Sequence, residues 1–137
     1  MRRTFRKPIA WRAAAAVAAV VLGGAPLVAQ APELAMLDRL TKGAWNLRFR
    51  DNGSQRKICL QTGRELIQLR HRQSGCSRFV VRDTPDEVVV QYTCRGNGYG
   101  RTSIRRESNG LVQIQSQGIE GGTPFALNVE ARHTGSC

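Results

Sequence analysis

From Trp45 the chain alternates: Trp45, Leu47 and Phe49 are apolar, and Asn46, Arg48 and Arg50 between them are polar. Successive side chains of a strand point to opposite faces, so this period of two buries one face and wets the other. Asp51-Asn52-Gly53 follows, and Asn-Gly tolerates the positive φ of a tight hairpin turn. A strand over 45–50 is therefore expected to pair with 55–60, with Ile58 and Leu60 turned inward. Downstream, strand-like runs alternate with turn clusters. Cys76 to Arg82 is closed by Asp83-Thr84-Pro85-Asp86, Glu87 to Cys94 by Gly96-Asn97-Gly98, Tyr99 to Glu107 by Asn109-Gly110, and Leu111 to Gly118 by Glu120-Gly121-Gly122. A last strand runs from Pro124 to Arg132, with Phe125, Leu127, Val129 and Ala131 on one face.

Two segments break this rhythm. Pro32 suits a first helical turn, and Leu34, Leu37 and Leu40 recur every third residue before Gly43, which predicts a short helix over 32–41. Thr62-Gly63-Arg64-Glu65 has the form of a capping box, opening a second helix that carries Leu66, Ile67 and Leu69 and ends near Gln73-Ser74-Gly75. The fold class expected is mainly β: an antiparallel up-and-down meander of about seven strands, curled into a partial or closed barrel, with two short helices covering the open face or one end.

The N-terminus follows neither pattern. Arg2, Arg3, Arg6 and Lys7 precede Trp11-Arg12 and an uncharged run from Ala13 to Leu22, then small residues and Pro26. A run this short reads as a cleaved export signal, since a permanent span needs roughly 20 apolar residues. Pro26 and Pro32 disfavour cutting after Ala25 or Ala31, so cleavage is expected after Ala29, giving a signal over 1–29 and a single domain over 30–137. The domain is expected in the periplasm or outside the cell, without a transmembrane helix and as a monomer. Arg2-Arg3-Thr4-Phe5-Arg6-Lys7 also resembles a twin-arginine signal, with Arg6 where that motif prefers an apolar residue, so the ordinary Sec route is expected.

All of Cys59, Cys76, Cys94 and Cys137 lie downstream of the signal, as befits structural bridges in an oxidising compartment. If the turn at Thr84-Pro85-Asp86 is centred on Pro85, Cys76 and Cys94 face each other across a hairpin, which favours Cys76–Cys94 with Cys59–Cys137. The competing set is Cys59–Cys76 with Cys94–Cys137.

The signal carries five basic and no acidic residues of a chain with net charge +11, so the remainder stays cationic at about +6. Outside the cytoplasm such a surface meets headgroups, anionic envelope polymers or acidic proteins; nucleic acid is not expected, because the basic residues are scattered and aromatics are few. Candidate anion-facing residues are Arg48, Arg50, Arg101 and Arg105, with Arg106 beside Arg105 and Arg78 and Arg82 on other strands. Trp45, Leu47, Phe49, Tyr92, Ile104, Ile114, Phe125 and Leu127 are the candidate lining of an apolar interior that packs mostly on itself and leaves a residual pocket for a small apolar ligand.

No catalytic constellation is legible. His71, between Arg70 and Arg72, and His133 are expected at the surface, without a nucleophile motif as partner. Asp83, Asp86 and Glu87 read as turn chemistry, and Gly96-Asn97-Gly98-Tyr99-Gly100 as a hairpin turn because no helix follows to complete a phosphate loop. No metal or cofactor motif is present, and Cys-x-x-Cys spacing is missing.

Gly43-Ala44-Trp45 at the first strand, cysteines at the end of the second strand, before the third and at the end of the fourth, and the final Arg132, Gly135 and Cys137 give a pattern that resembles the domain-of-unknown-function 3617 family of small exported proteobacterial proteins. The resemblance implies an exported β-rich domain with paired cysteines and brings no established activity or catalytic residues. The function expected is a non-enzymatic binding or envelope-associated domain. The alternative is an interaction protein or inhibitor that sets its arginine face against an acidic partner.

Overall fold

A computed structural model describes residues 33–137. The expected export signal lies outside the described residues. Seven strands form one antiparallel sheet: β1 Gly43–Phe49, β2 Gln55–Leu60, β3 Ser77–Asp83, β4 Glu87–Cys94, β5 Gly98–Ser108, β6 Leu111–Glu120 and β7 Thr123–Gly135. The alternation at Trp45, Leu47 and Phe49 sets the first register, with Trp45 opposite Ile58 and Ala44 opposite Cys59.

The spatial order corrects the simple meander. It is β2-β1-β7-β6-β5-β4-β3, so β1 pairs with the last strand and β2 does not meet β3. Every neighbouring pair is antiparallel. Following that alternation from one edge to the other, β2 and β3 point the same way, so antiparallel bonds between them cannot close the sheet. The chain must instead carry residues 61–76, the connector, back along a full strand length before β3 can start.

Two helices were expected; the structure has one short helix and a 3-10 turn. The helix expected over 32–41 is reduced to α1, Ala35–Asp38. Leu34 takes the left-handed conformation at φ 61°, and its N–H donates to Asp83 Oδ2 at 2.7 Å, which stops the helix on that side. On the other side Thr41 N–H donates to the Asn109 carbonyl at 2.8 Å and leads the chain into the sheet. The second helix is only a 3-10 turn, Arg64–Leu66. Its capping contacts exist, with Arg64 N–H donating to Thr62 Oγ1 at 3.2 Å and Thr62 N–H to Glu65 Oε1 at 3.1 Å. The helix fails to propagate because its carbonyls are taken elsewhere: Ile67 O accepts from Thr102 Oγ1 at 2.7 Å, and Leu69 O from Arg56 Nη2 at 3.3 Å.

α1 and the connector cover one face of the sheet. Met36, Leu37, Leu66, Ile67 and Leu69 pack there with Trp45, Leu47, Leu60, Val88, Val90, Tyr92, Ile104, Val112, Ile114, Val129 and Ala131 in one buried cluster. Fully burying such a side chain contributes about 1.5–3 kcal/mol, against about 0–1 kcal/mol for an exposed ion pair. The core therefore outweighs the surface charges. Trp45 is wholly buried, and its indole N–H donates to the Thr41 carbonyl at 2.8 Å.

The bridges are Cys59–Cys137 and Cys76–Cys94, the pairing that hairpin geometry favoured. Ser77 faces Thr93 in register, which places Cys76 beside Cys94. Cys59 lies opposite Ala44, whose other neighbour is Gly135, so the second bridge reaches over β1 to the end of β7. Among the described residues no helix is long and apolar enough to cross a membrane.

Candidate functional site

Of the arginines singled out from sequence, Arg48, Arg50, Arg82, Arg101 and Arg105 lie on the uncovered sheet face, whereas Arg78, in register with Tyr92, and Arg106, in register with Val112, belong to the covered side. One transverse row reads Gln55, Arg48, Glu130, Gln113, Arg105, Glu87 from β2 to β4. Carboxylates are interleaved with guanidinium groups along it. Arg50 bonds Glu130 at 3.4 Å and Gln113 at 2.8 Å, Arg105 bonds Glu107 at 3.1 Å, and Arg82 bonds Glu87 at 2.6 Å. Arg106 is held by Asp86 at 2.8 Å. Arg48 and Arg101 have no ion pair among the described residues, but they stand apart on β1 and β5. The Asp83, Asp86 and Glu87 carboxylates each have a protein partner: the Leu34 amide, Arg106, and Arg82 with Ser103.

The candidate apolar lining turns to the covered face. Trp45, Leu47, Tyr92, Ile104 and Ile114 are buried in the cluster, with Phe49 and Leu127 packed against its margin. Phe125 is half-buried, its ring 5.7 Å from that of His71. These side chains fill space against α1 and the connector.

His71, expected at the surface, is 1% exposed. Its Nε2 faces the Asn97 carbonyl at 3.2 Å and its Nδ1 faces the Tyr92 hydroxyl at 3.0 Å. A carbonyl only accepts, so Nε2 carries a proton and donates to Asn97, while Nδ1 shares a hydrogen bond with the Tyr92 hydroxyl. Burial pushes the Tyr92 phenol above its ordinary range. Among the described residues no carboxylate bonds either ring nitrogen. The arrangement anchors the connector to β4 and the turn before β5.

A groove lies where the sheet stays open. It measures about 730 Å³ and is walled by β2, the connector and the start of β3. Arg56 enters from β2, Arg64 and Arg72 from the connector and Arg78 from β3. Arg64 is neutralised by Asp38 at 2.6 Å. Glu65 is tied back to the amides of Gln61 and Thr62 at 3.2 and 3.1 Å. Arg56, Arg72 and Arg78 have no carboxylate partner among the described residues, whereas seven other arginines do.

Arg56 is the most constrained of the three. Because Leu47 is its register partner, it projects from the covered face of β2, and its guanidinium lies over the Phe49 ring at 5.4 Å. One Nη donates to Leu69 O, while the buried Nε finds no acceptor among the described residues. Desolvation and then the like charge of Arg72 lower its pKa from the usual arginine value. Arg78 is fixed by Gln68 Oε1, which accepts from Nε at 2.9 Å and from Nη2 at 2.6 Å. Gln68 is itself held, its Nε2 donating to the His71 carbonyl at 3.1 Å.

Sequence reasoning missed Arg56 and Arg72. The available signal was Arg56 sharing the inward parity of Ile58 and Leu60, a charged residue on an otherwise apolar face. No family model, curated protein or solved structure matches the chain.

Proposed function

We propose that this chain is an exported, non-enzymatic binding domain of the cell envelope, a sheet curled into a partial barrel, and that its ligand is an anionic envelope component held in the groove between β2, the connector and β3. One observation carries the reading: three guanidinium groups without carboxylate partners line one groove, one of them with an N–H shielded from water and lacking an acceptor among the described residues. Arg56 gains nothing in stability from a partly dry guanidinium beside the like charge of Arg72. An anion relieves both costs. The self-packed interior favours the groove over an apolar pocket as the place where a ligand sits. The paired bridges and the resemblance to exported proteins of the 3617 family support the compartment.

The test is calorimetric titration of the oxidised protein with polyphosphate, dextran sulfate and polyglutamate. At least one is expected to bind, to weaken several-fold between about 50 and 200 mM salt as screening shortens, and to lose binding in Arg56→Gln/Arg72→Gln/Arg78→Gln. Arg48→Gln/Arg101→Gln on the other face should bind as the parent does. Absence of binding by all three polymers, or loss through the outer-face variant alone, overturns the proposal.

A further inference from the structure

Resting on the groove as the ligand site, we infer that it selects a dianionic phosphoryl group, a phosphate monoester or free phosphate, over a carboxylate or a phosphodiester. The first argument is charge. Arg56, Arg72 and Arg78 leave three positive charges without acids, because Asp38 takes Arg64 and Glu65 is turned to backbone amides. A single carboxylate or diester offsets one of them, and a dianion offsets two.

The second argument is shape. The three arginines belong to three different elements, β2, the connector and β3, and all line the one groove, so a ligand there meets donors from more than one wall. A carboxylate is flat and offers two oxygens to one fork; a monoester phosphoryl group offers three oxygens in a tetrahedral array. Preorganisation adds to this. Gln68 fixes Arg78 through two bonds to one oxygen, which leaves Nη1 unengaged, and the Phe49 ring with the Leu69 carbonyl fixes Arg56. Two of the three guanidinium groups are thus held before a ligand arrives, and the exposed Arg72 is the one left to be ordered on binding.

The ionisation of the ligand supplies the test. A phosphate monoester loses its second proton near pH 6, whereas sulfate and a diester keep constant charge across that range. Calorimetry on the oxidised domain uses methyl phosphate, dimethyl phosphate, sulfate and acetate at pH 5 and pH 7.5. Methyl phosphate is expected to bind about tenfold more tightly at the higher pH, sulfate equally at both, and dimethyl phosphate and acetate at least tenfold more weakly than methyl phosphate. Arg78→Gln should weaken methyl phosphate at least tenfold, while Arg101→Gln leaves it unchanged.

Sources separate in a second arm. Vesicles of phosphatidylcholine with phosphatidic acid present a monoester, and vesicles with phosphatidylglycerol a diester. Binding to the former alone, reversed by inorganic phosphate, assigns a lipid headgroup; binding of methyl phosphate without either vesicle assigns a soluble phosphoryl ligand. If acetate or polyglutamate binds as tightly as methyl phosphate through the same arginines, the phosphoryl inference falls while the anion groove stands. If nothing anionic binds, both fall.

Discussion

His71 shows how one side chain holds a loop to a sheet. It lies between Arg70 and Arg72, a context that reads as surface, yet its ring is inserted between the Tyr92 hydroxyl and the Asn97 carbonyl. The space comes from glycine: a Cβ at Gly100 would stand 2.4 Å from the Tyr92 hydroxyl oxygen, so only a bare backbone lets the phenol reach the histidine. None of this is legible locally, because the groups that bury His71 sit 21 and 26 residues away in sequence. Tyr92→Phe removes the hydroxyl and leaves a buried Nδ1 without its hydrogen-bond partner, at a cost of about 1–3 kcal/mol. Urea unfolding should show a lower midpoint at unchanged slope, and Tyr99→Phe, at a half-exposed ring, should show none. Equal midpoints for the Tyr92 variant and its parent would contradict the anchoring role.

Among elements, strands were legible and helices were not, for one physical reason. A strand's signal is carried in its own alternation, as at Val88, Val90, Tyr92 and Cys94, all buried on one face of β4. A helix over 62–74 also needs its carbonyls free for its own amides, and here Thr102 and Arg56 claim those of Ile67 and Leu69. Thr62 and Glu65 make part of the expected contacts, yet the turn is capped by Gly63 and no helix follows. The same distinction explains the groove: Arg78 was noted from its strand, whereas its convergence with Arg56 and Arg72 follows from the connector's path between the edges. Bridges were half legible, since Cys76–Cys94 follows from a hairpin and Cys59–Cys137 from the remainder. In the chain-entropy account, bridges spanning 78 and 18 residues are worth about 4.5 and 3 kcal/mol respectively. Cys59→Ser/Cys137→Ser should therefore lower stability more than Cys76→Ser/Cys94→Ser in denaturant titration. The reverse order would mean that tethering the connector matters more than loop length.

For the molecule as a whole, acid is the expected weakness. Arg64 holds the Asp38 carboxyl, the Asn128 amide holds Asp51, and Arg82 with Ser103 holds Glu87, each below the usual carboxylate range. A carboxyl with a depressed folded pKa contributes stability above its unfolded value, near pH 4, and loses it as pH falls through the folded one. The urea midpoint should be level from about pH 7 to 5 and decline below about pH 4. Asp51→Asn/Glu87→Gln should start lower and decline less; a parent midpoint unchanged at about pH 3 would refute the assignment. The pairing of β1 with β7 acts on a different timescale. A polypeptide synthesised from its amino end presents the β1–β2 hairpin first, yet that hairpin finds its neighbour only when β7 arrives. Removing β7 does not trim a border; it cuts the sheet between β1 and β6. Assembly must wait for the last residues to emerge, and a nascent chain stalled before them would expose Trp45 and Leu47 to whatever chaperone stands at the exit.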